Sequence, residues 1–298
     1  MQIFSPTVLD GKRILITGGG TGLGRIMAER LAAHGAVVHL WGRREPVLQE
    51  AAEAIRAAHG PRSAHVQAVN IRDAEAVDAG VQAIWEEHGP LTGLINNAAA
   101  NFIVPTKDVS PRGYEAVNST VMDGSFFTTH ACGRRWIADG LPGSVLSMLT
   151  TWVWSGSAFV TSSAMAKAAV HAMTMSLAVE WGPYGIRLNA LAPGPMPTEY
   201  AWKMLSPTDD SAVGATQADA IPMGRFGEPD ELGNLVVFML SDACDYLTGA
   251  TIPMDGAQRL AGPGTFAGLA KLDDQAWAGI REQAEAATAQ AKAQRTTA

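Results

Sequence analysis

The chain has 298 residues, of which 47% are hydrophobic and 17% charged, with a formal net charge of −7. That length and apolar content supply a core large enough to need neither disulfide nor metal support. The acidic balance argues against a nucleic-acid or anionic-membrane partner, and no apolar run reaches membrane-spanning length.

RILITG at 13–18 reads as a first strand, followed by a glycine turn and the helical pattern LGRIMAERLAAH, closed by Gly35. AVVHLWG at 36–42 and AHVQAVNI at 64–71 are the second and third strands. AEAVDAGVQAIWEEH is then a helix closed by Gly89, with Pro90 after it. GLINNAA (93–99), SVLSML (144–149), RLNALAP (187–193) and ATIPMDG (250–256) complete seven strands. Residues 195–227 contain Pro, Gly and Asp in a long interruption that reads as a mobile lid. Beyond 258 a Gly/Pro-rich link leads to LDDQAWAGIREQAEAATAQAKA, one Ala-rich helix packed on the body or on a neighbouring subunit. Strands that alternate with helices predict an α/β fold: a doubly wound, Rossmann-type parallel seven-stranded sheet with a C-terminal helical extension. No internal boundary is visible, so residues 1–260 are expected to form one nucleotide-binding domain and 261–298 a tail. Cys132 and Cys244 lack metal-ligand spacing and read as buried free thiols of a reducing compartment. With no signal-like or transit-like start and no peroxisomal address in QRTTA, the expectation is a soluble cytoplasmic protein.

RILITGGGTGLGRIMAERL places strand, glycine turn and helix in that order. Gly18, Gly22 and Gly24, with Thr21 and Leu23 between them, let backbone approach a pyrophosphate while the helix start offers free N–H groups. Glycines also serve ordinary tight turns; the flanking strand and helix favour the cofactor reading. The second strand ends in Gly42-Arg43-Arg44. A carboxylate there suits a ribose 2′-hydroxyl and a guanidinium a 2′-phosphate, so NADP(H) is favoured over NAD(H). The alternative is that both arginines merely solvate a helix start.

TGGGTGLG, NNAA at 96–99, a helix carrying Lys167 and PGPMPT at 193–198 together resemble the short-chain dehydrogenase/reductase family over nearly the whole chain. The resemblance implies that Asn96–Asn97 brace the central strand beside the nucleotide, that Lys167 bonds the nicotinamide ribose, and that Pro193, Gly194, Pro195 and Met196 line the nicotinamide face. The family's usual tyrosine, four residues before the lysine, is Ser163 here; its serine is Thr150; its helix asparagine is Val121. One branch departs in the same way. NNAAANFIVPT, TTWVWSGSAFV, SSAMAKA and VEWGPYGIRLNALAPGP are similar to mitochondrial-type 2,4-dienoyl-CoA reductases. That likeness implies that Asn101 holds a thioester oxygen, that Phe102 and Ser110 line an acyl-CoA site, and that Arg72 lies near CoA phosphates. It assigns Arg43 to the NADPH 2′-phosphate and puts Asn70 at the adenine in place of an aspartate. The catalytic tyrosine of that branch is Trp152 here.

The missing phenol decides which chemistry fits. Ketone reduction makes an alkoxide, which needs a proton delivered in the site. Reduction of a conjugated enoyl thioester makes a dienolate, whose charge neutral donors aimed at the thioester oxygen can tolerate. Asn101, Trp152, Ser163 and Thr150 are such donors, with Lys167 positioning the cofactor. Trp152 and Trp154, at alternate positions after a strand, are expected to point the same way and shape an apolar pocket. Of the tyrosines, Tyr114, Tyr184 and Tyr246 read as structural, and Tyr200, on the lid, is a candidate to swing over a substrate. His39, His65, His130 and His171 show no pairing suited to metal or triad work and read as satisfied structural residues. The leading expectation is an NADPH-dependent reductase of an acyl-CoA-like conjugated thioester, a homotetramer if it follows its family. The alternatives are a short-chain dehydrogenase of another carbonyl, alcohol or enone, with acid from Tyr200, water or a hydroxyl, and a silent NADP(H)-binding protein.

Overall fold

The computed structural model describes residues 4–101, 103–197 and 218–262, together with residues 273, 275 and 278. Its contacts divide the chain into Met1–Gln258 and Arg259–Ala298. The first unit holds β1 (Arg13–Thr17), α1 (Gly22–Ala33), β2 (Val37–Gly42), α2 (Glu45–His59), β3 (Ala64–Ala68), α3 (Ala74–His88) and β4 (Gly93–Asn96). Then come α4 (Pro111–Asn118), a π-helical turn (Ser119–Asp123), α5 (Gly124–Asp139), β5 (Gly143–Met148), α6 (Trp152–Ser155), α7 (Thr161–Trp181), β6 (Ile186–Pro193), α8 (Pro229–Leu240) and β7 (Thr251–Met254). Most of the predicted tail helix and of the predicted lid, including Tyr200, lies outside the described residues, as does Phe102. No described helix is long and apolar enough to cross a membrane.

All strand pairs are parallel, in the order β3-β2-β1-β4-β5-β6-β7. Helices cover both faces, which is why the strands read as nearly unbroken apolar runs. Ile14 and Ile16 join one core with Met27 and Leu31 of α1, Leu48 and Ile55 of α2 and Val236 of α8. Leu15, between them, joins the other with Val77 and Val81 of α3, Trp136 of α5 and Trp181 of α7. The period-2 alternation of a strand thus feeds two layers at once. Strand order reverses between β1 and β4, and the crevice beyond the carboxyl ends of those two strands is where such sheets bind ligands. Cys132 and Cys244 are both free and buried.

Three predicted features are corrected. β3 ends at Ala68 and β4 at Asn96, earlier than the apolar runs suggest, and the following residues turn over the crevice. Trp152 and Trp154 stand on a helical turn, not an extended segment, so two positions separate them by about 200° rather than aligning them. Trp152 faces the crevice, while Trp154 is 42% exposed and packs edge-on against His171. The third is the reading of the histidines as satisfied, which fails at His39: it stacks with its register partner His65 on β3 and with His88 at the end of α3, the three ring centroids 4.0 to 5.1 Å apart, without a hydrogen-bond partner for its Nε2. No metal-holding cluster exists among the described residues.

His39 is buried and its Nε2 has no hydrogen-bond partner. Burial, then the neighbouring His65, His88 and Arg13, push its pKa down to about 3. The unfolded chain binds a proton here below about pH 6.5 while the folded chain refuses it, so stability is intact above that pH and falls as pH drops toward 3. Chemical denaturation across this window is expected to show a loss of about 3 kcal/mol near pH 4 from this residue. His39→Leu is expected to flatten the slope.

Candidate active site

The crevice is a cavity of about 530 Å³. At its floor, Gly18 leaves β1 in the left-handed region, with φ at 68°. Gly24, in the first turn of α1, lies so close to it that a Cβ there would stand 2.2 Å from the Gly18 carbonyl oxygen. Only glycine lets the helix start nest against the turn, and the free N–H groups of α1 then point into the cavity. Gly18, Thr21, Gly22 and Leu23 line it; Gly24 stands behind them as the buttress.

Thr17 ends β1 and organises the opposite wall. Its hydroxyl oxygen accepts from the backbone N–H groups of Asn97 and Ala98, both at 3.0 Å. The Asn97 amide donates to the carbonyls of Thr17 (3.0 Å) and Gly18 (3.3 Å), tying this wall to the glycine turn. One residue earlier, Asn96 pins β4 to α5 by donating to Thr129 (2.8 Å) and accepting from Thr128 (2.7 Å). Asn101 follows on the anchored segment and lines the cavity. Beyond it, Val104 N–H donates to the carbonyl of Phe159 (2.9 Å), a non-glycine residue at φ 66°. The hydroxyls of Thr106 and Thr161 meet at 2.8 Å. The segment after Asn101 is thereby fastened to the start of α7.

Lys167 and Ser163 enter from α7, both buried. The Lys167 ammonium donates to the Met148 carbonyl at the end of β5. Burial alone pulls its pKa down to about 8. Thr150 and Trp152 follow β5, and the Thr150 Oγ1 is buried without a hydrogen-bond partner. Pro193, Gly194, Pro195 and Met196 close the far side. Arg43, Asn70 and Arg72 stand at the other end, where Asn70 Oδ1 accepts from the Arg72 backbone N–H at 3.3 Å.

Not every predicted residue reaches the cavity. Ser110 is exposed and caps α4, its hydroxyl accepting from Gly113 N–H at 3.1 Å; it does not line the cavity as described. Val121 is fully buried against Val117 and Ala166, an apolar plug where the family carries an amide. Residues that sequence reasoning missed include Thr120 and Gln258, while Arg44, weighed together with Arg43, also lines the cavity. Thr120 reaches the wall from the π-helical turn, a register shift that no residue spacing announces.

Two properties of the lining matter chemically. Its charged side chains are Arg43, Arg44, Arg72 and Lys167, with no carboxylate among the described lining residues, although the chain as a whole is acidic. The three guanidiniums have no ion pair or hydrogen bond among the described residues, and all are exposed at the rim. The glycine cradle, the α1 N-terminus and this cationic rim fit a phosphorylated dinucleotide.

A family model described as enoyl-(acyl carrier protein) reductase matches residues 18–257. The chain belongs to this family of short-chain dehydrogenase/reductase oxidoreductases, which use nicotinamide cofactors. It is 39% identical over 254 residues to a probable 2,4-dienoyl-CoA reductase, (2E)-enoyl-CoA-producing, from Bacillus subtilis, an overlap covering 85% of this chain and 98% of that one. Among solved structures it resembles a short chain dehydrogenase from Bacillus anthracis, with a TM-score of 0.73 and 37% identity over 83% of this chain and 96% of that one. A gluconate 5-dehydrogenase from Burkholderia cenocepacia, in complex with NADP and tartrate, gives a TM-score of 0.78 at 29% identity, over 85% of this chain and 97% of that one.

Proposed function

We propose that the protein is an NADPH-dependent reductase of a conjugated, acyl-CoA-like enoyl thioester. One observation carries this reading: Asn101, Thr150, Trp152 and Ser163 line the same cavity as Lys167 as neutral donors, while no phenol, carboxylic acid, thiol or imidazole is among the described lining residues. Bound NADPH supplies a hydride to the distal alkene carbon. The chain's part is to hold the thioester oxygen with Asn101 as charge spreads onto it, and to exclude water with the apolar wall of Met148, Leu149 and Met196. Lys167 positions the nicotinamide ribose, and the orphaned Thr150 hydroxyl is a further donor to what binds. Arg72 and the neighbouring guanidiniums suit the phosphates of a CoA-like substrate. The relative described as a probable dienoyl-CoA reductase adds to this reading.

The likeness to a gluconate 5-dehydrogenase favours a second reading, reduction of another carbonyl. NADPH consumption with 2,4-dienoyl thioesters against 3-ketoacyl thioesters and sugar ketones separates the two. NADPH binding without turnover of any of them points to a silent binding protein. The preference for NADPH over NADH is assigned to Arg43, the guanidinium nearest the end of β2. Arg43→Ala is expected to lower the ratio of kcat/KM for NADPH over NADH by about 10- to 100-fold, the effect of one charge-assisted contact. We also assign a homotetramer: Met165, Ala168, Ala172, Met175 and Val179 form an exposed apolar stripe along α7. The buried free thiols suit a reducing, cytoplasmic setting.

A further inference from the structure

We infer that Phe159 is a specificity residue for the acyl tail: with Ile103 it forms an apolar shelf outside the cavity that selects thioesters of about ten carbons or more. The inference rests on the proposed thioester reductase reading and names the length of substrate which that reading leaves open.

The loop between α6 and α7 turns twice through left-handed backbone. The first turn is at Gly156, φ 65°, where glycine meets no steric penalty. The second is at Phe159, φ 66°, where a bulky side chain is strained. The other non-glycine residue at positive φ among the described residues is Ala257, which carries only a methyl group. The backbone of Phe159 has a task, since its carbonyl accepts from Val104 N–H at 2.9 Å and ties the loop to the segment after Asn101. Glycine would serve that bond with less strain, so the bond does not explain the ring. Packing does not explain it either. The ring joins none of the buried apolar clusters, contacts no other aromatic ring among the described residues, and belongs to a residue 55% exposed. A contact made outside the chain accounts for both the strain and the exposure.

The position of the ring names what it contacts. Phe159 stands in the chain between Trp152 and Ser163, which both line the cavity, and it is fastened three residues beyond Asn101, which lines it too. Ile103, on that same segment, is 36% exposed. The Thr106–Thr161 hydroxyl pair, at 2.8 Å, joins the two pieces of chain a second time. Across the sheet, Arg43, Arg44 and Arg72 follow β2 and β3, Asn101 follows β4, and Phe159 follows β5, with β1 and β4 separating the arginines from the shelf. A thioester with an anionic carrier at one end and an apolar chain at the other has the same polarity, with its oxygen at Asn101.

Three extended residues span at most about 11 Å, which sets the reach from Asn101 to the shelf. With carbon–carbon bonds near 1.5 Å, an extended acyl chain advances about 1.3 Å per carbon, so about eight carbons reach the shelf and longer tails lie along it. Full burial of a methylene tightens binding about fourfold; contact on one side gives about twofold for each.

The test uses the full chain, saturating NADPH and 2,4-dienoyl-CoA thioesters of six, ten and fourteen carbons. From the shortest to the longest, KM is expected to fall about 10-fold in the wild type and less than about 2-fold in Phe159→Gly. Calorimetric titration of the NADP⁺ complex with saturated hexanoyl- and myristoyl-CoA reads the same shelf without turnover, and the same contrast is expected. Thermal unfolding gives an independent readout. Phe159→Gly relieves the left-handed strain and is expected to melt no lower than the wild type, and about 2 to 4 °C above Phe159→Ala, which keeps the strain and loses the ring. Three outcomes overturn the shelf while dienoyl turnover keeps the reductase: a wild-type KM that ignores tail length, a length dependence that survives in Phe159→Gly, or a Phe159→Gly protein that melts several degrees low. The first of these means that another part of the chain or a second copy covers Phe159. Length-dependent calorimetric binding that Phe159→Gly abolishes, without turnover of any dienoyl thioester, removes the proposed reductase and leaves the shelf. Neither turnover nor length dependence removes both.

Discussion

Asn101→Ala lowers kcat for a 2,4-dienoyl thioester by about 100- to 1,000-fold, the usual cost of deleting one donor aimed at a developing oxyanion. The expectation follows from where the residue sits. The 97–101 segment is pinned at its start by Thr17 and Asn97, and beyond its end by the Val104–Phe159 hydrogen bond, so the amide is held before substrate arrives. Its side chain makes no hydrogen bond among the described residues, leaving the N–H₂ group free for a ligand. A preorganised donor costs little to use in the transition state, and its loss therefore appears in kcat more than in binding. Asn101→Asp sharpens the contrast: nearly the same shape, no donor, and a negative charge beside the forming dienolate. It is expected to be at least as damaging. NADPH fluorescence titration on both variants separates this from damage to the glycine cradle, on the other wall. A full-strength Asn101→Ala enzyme means the thioester oxygen is held elsewhere.

The sheet was legible because both of its faces are covered. A strand such as RILIT must then be apolar at every position, and that run stands out against the amphipathic period of α3. Gly89 marked the end of α3 to the residue, since a terminating glycine is local chemistry, and the structure adds Asp73 as the side-chain cap at its start. Strand ends were harder. VNI after β3 and NAA after β4 continue a plausible run, yet the backbone leaves the sheet in both places, after β4 because Asn97 and Ala98 are held by Thr17, some eighty residues earlier. WVWS misled for a related reason: alternation of large apolar residues is a strand pattern, whereas one short helical turn carries too little sequence to declare itself. The glycine cradle and Lys167 were readable because the residue types are obligatory at those positions. Thr120 was hidden by a π-helical turn, and the His39–His65–His88 stack by cross-strand register, neither of which leaves a periodic trace. Ser110 shows the opposite case. Ser followed by Pro is a helix-start signature, and local capping explains it more directly than a role at the substrate.

Trp152→Tyr is expected to raise the ratio of kcat/KM for a ketone over that for a dienoyl thioester by about 100-fold or more. The indole of Trp152 lines the cavity and offers an N–H that donates a hydrogen bond without surrendering its proton. That is adequate for a dienolate, whose charge is spread onto the thioester oxygen and can await a proton. An alkoxide is a far stronger base with its charge on one atom, and hydride transfer to a ketone stalls unless an acid already touches that oxygen. A phenol at position 152, with the low-pKa Lys167 in the same cavity to favour its ionisation, supplies such an acid. The substitution removes volume from a half-buried residue at the start of α6, so the ring has room to settle. NADPH oxidation with a 3-ketoacyl thioester and a dienoyl thioester, measured side by side on both proteins, gives the ratio. If the ratio does not move, the chemistry of the wild-type site is not set by the missing phenol, and selectivity for conjugated thioesters has to arise from the shape of the cavity rather than from the acidity of its walls.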